Sequence, residues 1–142
     1  MFKWLSLLFF ITSNAISANV VDIDAACKEE EEQKKSLLTR MSTSLIEAHL
    51  AGQCKGFNSY SEINIDKNCS EFVEQQNAIF PSLSTSLIEA NLAGRCVGAI
   101  YRIAEDCRVD LKSIDYTFVA ENATSISAVR ASLVCYGERY GR

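Results

Sequence analysis

Apolar residues recur along most of this chain at intervals of three and four rather than alternating, which is the period of an α-helix with one buried face. The stripe runs through Leu37, Leu38, Met41, Leu45, Ala48 and Gly52, then through Phe72, Ile79, Leu83, Leu87, Ala90 and Gly94. A third stretch holds Leu111, Ile114, Phe118, Ile126, Val129 and Leu133. With one proline and six glycines in 142 residues there is little to interrupt it, and the pattern predicts an all-α fold. Lys55 to Asn68, rich in Asn, Ser and Gly, are expected to form a loop, whereas Val97 to Ala104 extend the stripe before them and are expected to continue that helix.

The three stretches coincide with three pairs of cysteines. They mark units 27–54, 69–96 and 107–135, enclosing 26, 26 and 27 residues. Ser42 to Cys54 and Ser84 to Cys96 are identical at 11 of 13 positions and offset by 42 residues. Ala123 to Cys135 is a worn third copy that keeps a Thr-Ser pair, an aliphatic residue and the closing cysteine. Repetition at a fixed period describes the stacking of one supersecondary unit.

The cysteines test whether each unit is one helix or two. A straight helix of this length spans roughly 40 Å, so its own cysteines could not meet. Three straight antiparallel helices would put three thiols at each end, and three cannot all pair. Breaks are therefore expected, at Pro81 and at two capping boxes, Ser44 with Glu47 and Ser86 with Glu89, each able to start a helix. If every unit bends, the economical pairing is Cys27–Cys54, Cys69–Cys96 and Cys107–Cys135, each bond closing the open end of an αα-hairpin. If only the second bends, Cys27 and Cys135 share an end and the other four cysteines meet at the opposite one. Either way the expectation is a small disulfide-stapled helical bundle, each bridge contributing about 3 kcal/mol in the chain-entropy model.

Met1 to Ala18 has the pattern of a secretory signal peptide: Lys3, an apolar run from Leu5 to Ile11 too short to cross a bilayer, and small residues at Ser13, Ala15, Ser17 and Ala18. Its removal leaves residues 19–142, expected to be a single helical disulfide-rich domain with a flexible tail over 136–142. The address is then secreted, or periplasmic in a bacterium, where six cysteines imply a disulfide framework. Without Lys3 the chain carries 13 basic and 18 acidic residues, a formal charge of −5 that argues against nucleic acid or an anionic lipid surface as partner. No later segment is apolar enough to span a membrane. The only tryptophan, Trp4, leaves with the leader.

Candidate chemistry is sparse. There is no Cys-x-x-Cys and one histidine, so zinc, thioredoxin-like and serine- or cysteine-nucleophile readings find no support, and no catalytic, metal or cofactor residue is assigned. His49 stands in the repeated block where the second copy has Asn91, which speaks against an essential base. Ser44, Glu47, Ser86 and Glu89 are read as helix caps. Glu29 to Glu32 with Lys34 and Lys35 read as a solvated helix face, and the glycines beside the cysteines, Gly52, Gly56, Gly94 and Gly98, as helix ends and close packing. The aromatics Phe57, Tyr60, Phe72, Phe80, Tyr101, Tyr116 and Phe118 are expected mostly to fill the core. Asn122 and Asn68 head Asn-x-Ser/Thr sequons, the second with Cys69 at its centre.

These observations point to a non-enzymatic binding protein whose partner is an extracellular or periplasmic protein, as an inhibitor, immunity-type protein or signalling factor would be. The alternative is a carrier of a small apolar ligand in a cavity between helices. A binder predicts a filled core and an exposed apolar patch. A carrier predicts an internal cavity lined by aromatics and aliphatics.

Overall fold

A computed structural model of the chain describes residues 21–36, 44–79 and 85–133. The expected leader over 1–18, Leu37, Leu38, Met41, Phe80, Pro81, Leu83, Cys135 and the tail over 136–142 lie outside the described residues. The described residues form α1 (Ile23–Ser36), α2 (Leu45–Asn58), α3 (Ile65–Asn77), α4 (Leu87–Cys107), α5 (Tyr116–Asn122) and α6 (Ile126–Ser132), with 3-10 turns at Tyr60–Glu62 and Leu111–Ser113 and no strand among them.

Each boundary has a local cause. The side chains of Ser44, Asn64, Ser86, Asp115 and Ser125 accept hydrogen bonds from amides of the first turns of α2, α3, α4, α5 and α6, satisfying donors that a helix start leaves unpaired. At its other end α4 stops at Arg108, which takes a left-handed conformation (φ 54°). The Arg108 and Val109 N–H groups then donate to the Glu105 and Ala104 carbonyls at 3.2 and 2.9 Å, closing the helix as a glycine usually does.

Two helical hairpins result, α1 with α2 and α3 with α4, and they are built to one plan. Cys27 and Cys69 are the fifth residues of α1 and α3; Cys54 and Cys96 are the tenth residues of α2 and α4. The bridges are Cys27–Cys54 and Cys69–Cys96, with Cα atoms 4.7 and 4.9 Å apart. This pairing rules out the arrangement that joins Cys27 to Cys135. Cys107 is also disulfide-bonded, and its expected partner Cys135 lies outside the described residues. Residues 107–135 depart from the plan: Cys107 is the last residue of α4 rather than part of a new helix, and α5 and α6 are seven residues each.

The long helix α4 is central, packing against α2 on one side and α3 on the other, with α1 outside α2 and α5 outside α3. Around it lies the core of Ile65, Cys69 and Phe72 from α3, Val97, Ile100 and Ile103 from α4, and Ile114, Tyr116, Val119 and Val129 from the following segment. Three members of the expected apolar stripe, Ile79, Leu87 and Phe118, are exposed instead. Leu87 is the first residue of α4 and Ile79 lies beyond the end of α3, so both stand at helix ends rather than along a packed face.

The expected loop over Lys55 to Asn68 is also shorter than its composition suggests, because α2 runs on to Asn58 and α3 begins at Ile65. Its glycine is helical for a tertiary reason. A Cβ on Gly56 would overlap the Arg95 backbone, and one on Gly52 would overlap the carbonyl of Asn91. Reciprocally, Gly94 lies on the His49 carbonyl and Gly98 on that of Gln53. Ascending positions on one helix meet ascending positions on the other, so α2 and α4 run parallel. His49 and Gln53 are the counterparts, 42 residues earlier, of Asn91 and Arg95, so the seam has internal two-fold character. Small residues four apart let two backbones touch, at a cost of about 1 kcal/mol in helix propensity per glycine.

Gly94→Ala should therefore destabilise the protein by about 2 kcal/mol despite alanine's better propensity, measured by denaturant unfolding, because the added methyl has only backbone to displace. Arg108→Gly should stabilise it by about 1 kcal/mol in the same assay, relieving a left-handed conformation that L side chains resist.

Candidate functional site

The parallel seam brings the starts of α2 and α4 to the same end of the bundle. Each start is a capping box with matching geometry. The Glu47 and Glu89 amides donate to Ser44 and Ser86 Oγ at 3.2 Å, and the Ser44 and Ser86 amides donate to Glu47 and Glu89 Oε2 at 2.6 Å. The hydrogen bonds from the Ser86 amide and then its hydroxyl hold the Glu89 carboxyl below the usual carboxylate range. The caps thus have a structural task, and they fix where the next two residues of each helix point.

Those residues are aliphatic, and three of the four face water: Ile46 is 63 % exposed, Leu87 45 % and Ile88 74 %, while Leu45 is half-buried; Ile79, just past the end of α3, is 87 % exposed. Leu87 and Ile88 continue into an open groove of about 310 Å³ whose other lining residues are Gln33, Ala48, Asn91, Leu92 and Arg95. Acidic groups adjoin this end. Desolvation raises the Glu71 carboxyl above its ordinary value, and the like charges of Glu74 and Glu89 raise it further against the opposing charge of Lys67.

His49 lies below the aliphatic end, inside the seam, and is 5 % exposed. Its counterpart Asn91 donates from Nδ2 to the Ala48 carbonyl across the seam at 3.0 Å and accepts from Arg95 Nε at 2.9 Å. The imidazole faces the Ala90 carbonyl, so each half of the seam aims a polar side chain at the backbone of the other. Its ring stands 6.4 Å from that of Phe72, which lies 4.7 Å from the Tyr116 ring at a tilt of 56°. The His49 Nε2 and the Tyr116 hydroxyl have no hydrogen-bond partner among the described residues. Burial lowers the His49 pKa, the Ala90 carbonyl opposing, and burial raises the Tyr116 phenol well above its ordinary value. An imidazole enclosed in this way is poorly placed to serve as an external base.

The other residues marked from sequence fall elsewhere. Asn122 is exposed at the end of α5, its Nδ2 donating to the Phe118 carbonyl at 3.0 Å. Asn68 is 3 % exposed inside α3, beside the bonded Cys69, a position with no room for a glycan. On α1, Glu30 pairs with Lys34 at 2.9 Å and Glu32 with Lys28 at 3.9 Å. No group of His, Cys, Asp and Glu among the described residues could hold a metal ion. Of the aromatics, Phe72 and Tyr116 are core, Phe57, Tyr60 and Tyr101 are half-buried, and Phe118 is exposed. Sequence reasoning missed the exposed aliphatic end, although Ile46 and Ile88 occupy the same position in the two copies of the repeated block. It also missed Asn58, whose amide lies against a disulfide.

No family model matches the chain, and no curated protein or solved structure matches it.

Because the folded imidazole titrates below its ordinary 6.5, the unfolded chain takes up the proton first as the pH falls. The stability that neutral His49 allows is present above the unfolded pKa and is lost as the pH drops through it toward the folded value. Unfolding free energy measured between about pH 7.5 and about pH 5 should therefore decline in the wild type and decline less in His49→Asn, which copies the solution found at Asn91.

Proposed function

We propose that the chain is an exported, non-enzymatic protein that binds another extracellular or periplasmic protein through the aliphatic end of its two hairpins. Inhibitor, immunity-type and signalling roles all fit such a surface. The observation that carries this reading is the gathering of Ile46, Ile79, Leu87 and Ile88, all exposed, at one end of the bundle. Single exposed aliphatics are ordinary, but several together at one end suit a protein interface, whose buried centre is depleted in charge and edged with polar groups. Supporting features are the disulfides, the enclosure of the only histidine, and a core filled by side chains. No helix among the described residues is long and apolar enough to cross a membrane.

The groove beside Leu87 and Ile88 favours a second reading, a carrier of a small apolar ligand. Its openness to solvent suits a peptide side chain better than a free molecule that must be fully enclosed.

A photo-crosslinking amino acid at Ile88, with exposed Lys112 as control position, separates the two readings in the fluid into which the protein is released. One protein adduct from position 88 and none from 112 is the expected result. Ile46→Asp with Ile88→Asp should leave folding stability within about 0.5 kcal/mol while weakening the captured complex on the order of a hundredfold. A native mass spectrum carrying a stoichiometric small molecule that departs on denaturation, with no protein adduct, would instead establish the carrier.

A further inference from the structure

The two described disulfides occupy equivalent places in their hairpins but sit in different surroundings. Cys69 and Cys96 are both fully buried. Cys54 is buried too, but Cys27 is half-buried, and its Sγ meets Asn58 in an exposed setting. Asn58, one turn beyond Cys54, directs Nδ2 to Cys54 Sγ at 3.2 Å and to Cys27 Sγ at 3.6 Å. The helix that Cys27 tethers is also lightly held. Eight of the 14 residues of α1 are charged, Ala26 is the one buried residue among those of α1 whose burial is described, and the helix packs chiefly on α2. A helix of this length is marginal in water on its own.

We propose that Cys27–Cys54 is a redox-sensitive site and α1 a releasable arm: a dithiol reductant opens this bridge in the folded protein while Cys69–Cys96 stays closed. The reductant's thiolate attacks the accessible Cys27 Sγ, forming a mixed disulfide and breaking the bond to Cys54. Cys54 leaves as a thiolate, stabilised by the Asn58 N–H, and takes a proton from water. The reductant's second thiol then attacks the mixed disulfide and releases Cys27 as a thiol. Two electrons and two protons have passed to the protein, and the reductant has become a disulfide. Freed of its tether, α1 leaves the outer face of α2 and takes Gln33 away from the groove. Reduction thereby uncovers the outer face of α2 and widens the groove that Leu87 and Ile88 also line, whether or not the aliphatic end binds a protein.

The test is native exposure of the oxidised chain to dithiothreitol, with timed alkylation and peptide mapping. Cys27 and Cys54 are expected to be alkylated on the order of tenfold or more ahead of Cys69 and Cys96. Hydrogen exchange on the partly reduced sample should show lost protection over residues 23–36 with protection kept over 87–107. Equal rates at the two bridges, which would mean reduction through global unfolding, overturn the proposal, as does an α1 that stays protected once its bridge is open. Asn58→Ala should slow the first reduction several-fold, and an unchanged rate overturns the role given to that amide.

Discussion

The contact on which the rest of this structure depends is backbone against backbone, where α2 and α4 touch through Gly52, Gly56, Gly94 and Gly98. Each glycine rests on a carbonyl or main-chain segment of the other helix, leaving no layer of side chains between the axes. Dispersion between two closely apposed backbones is individually weak and summed over many atoms, and a gap of about 1 Å between the helices forfeits up to about half of it. The seam therefore tolerates one geometry. It sets the two hairpins parallel, fixes α4 as the central helix, and encloses His49 where a looser contact would have left it wet. It also carries both capped helix starts to the same end, so that Ile46 and Ile88 emerge together.

Equivalent local structure has not produced equivalent hairpins. The second hairpin supplies most of the core, with α3 and α4 contributing Phe72, Val97, Ile100 and Ile103. The first contributes the seam and little else, and its outer helix is mainly charge. This asymmetry follows from neighbours. On the α3 side the chain that follows α4 folds back, α5 packing on α3 and burying Tyr116 and Val119, whereas α1 packs chiefly on α2. The same bridge is thus buried in one unit and half-exposed in the other.

The helical class, the two hairpins and their bridges were legible because each leaves a local mark: period, capping box, cysteine spacing. The length of α2 was not. Its last turn contains Gly56 and Asn58, residues of poor helix propensity, and it is held by a contact with Arg95 that no local signal announces. Gly52 with Gly56 and Gly94 with Gly98 stood in the sequence at the four-residue spacing of a helix seam, but spacing alone does not say which helices meet. The third unit is less regular for a related reason, since its cysteine spacing nearly matches that of the other two while Cys107 closes the preceding helix. The aliphatic end was hidden by periodicity itself: Leu87 keeps the rhythm of the apolar stripe, yet as the first residue of its helix it stands at the rim of the groove, 45 % exposed.

The reciprocal seam has one further consequence. A single hairpin of this kind would carry a glycine face that only a second, similar hairpin can cover. On separate chains two such halves would assemble or fall apart according to how much of each is present. Joined through the few residues between Asn58 and Ile65, they meet at an effective concentration on the order of millimolar, whatever the amount of protein around them. The link turns an association into a fold, and a chain released into any volume carries its own partner with it.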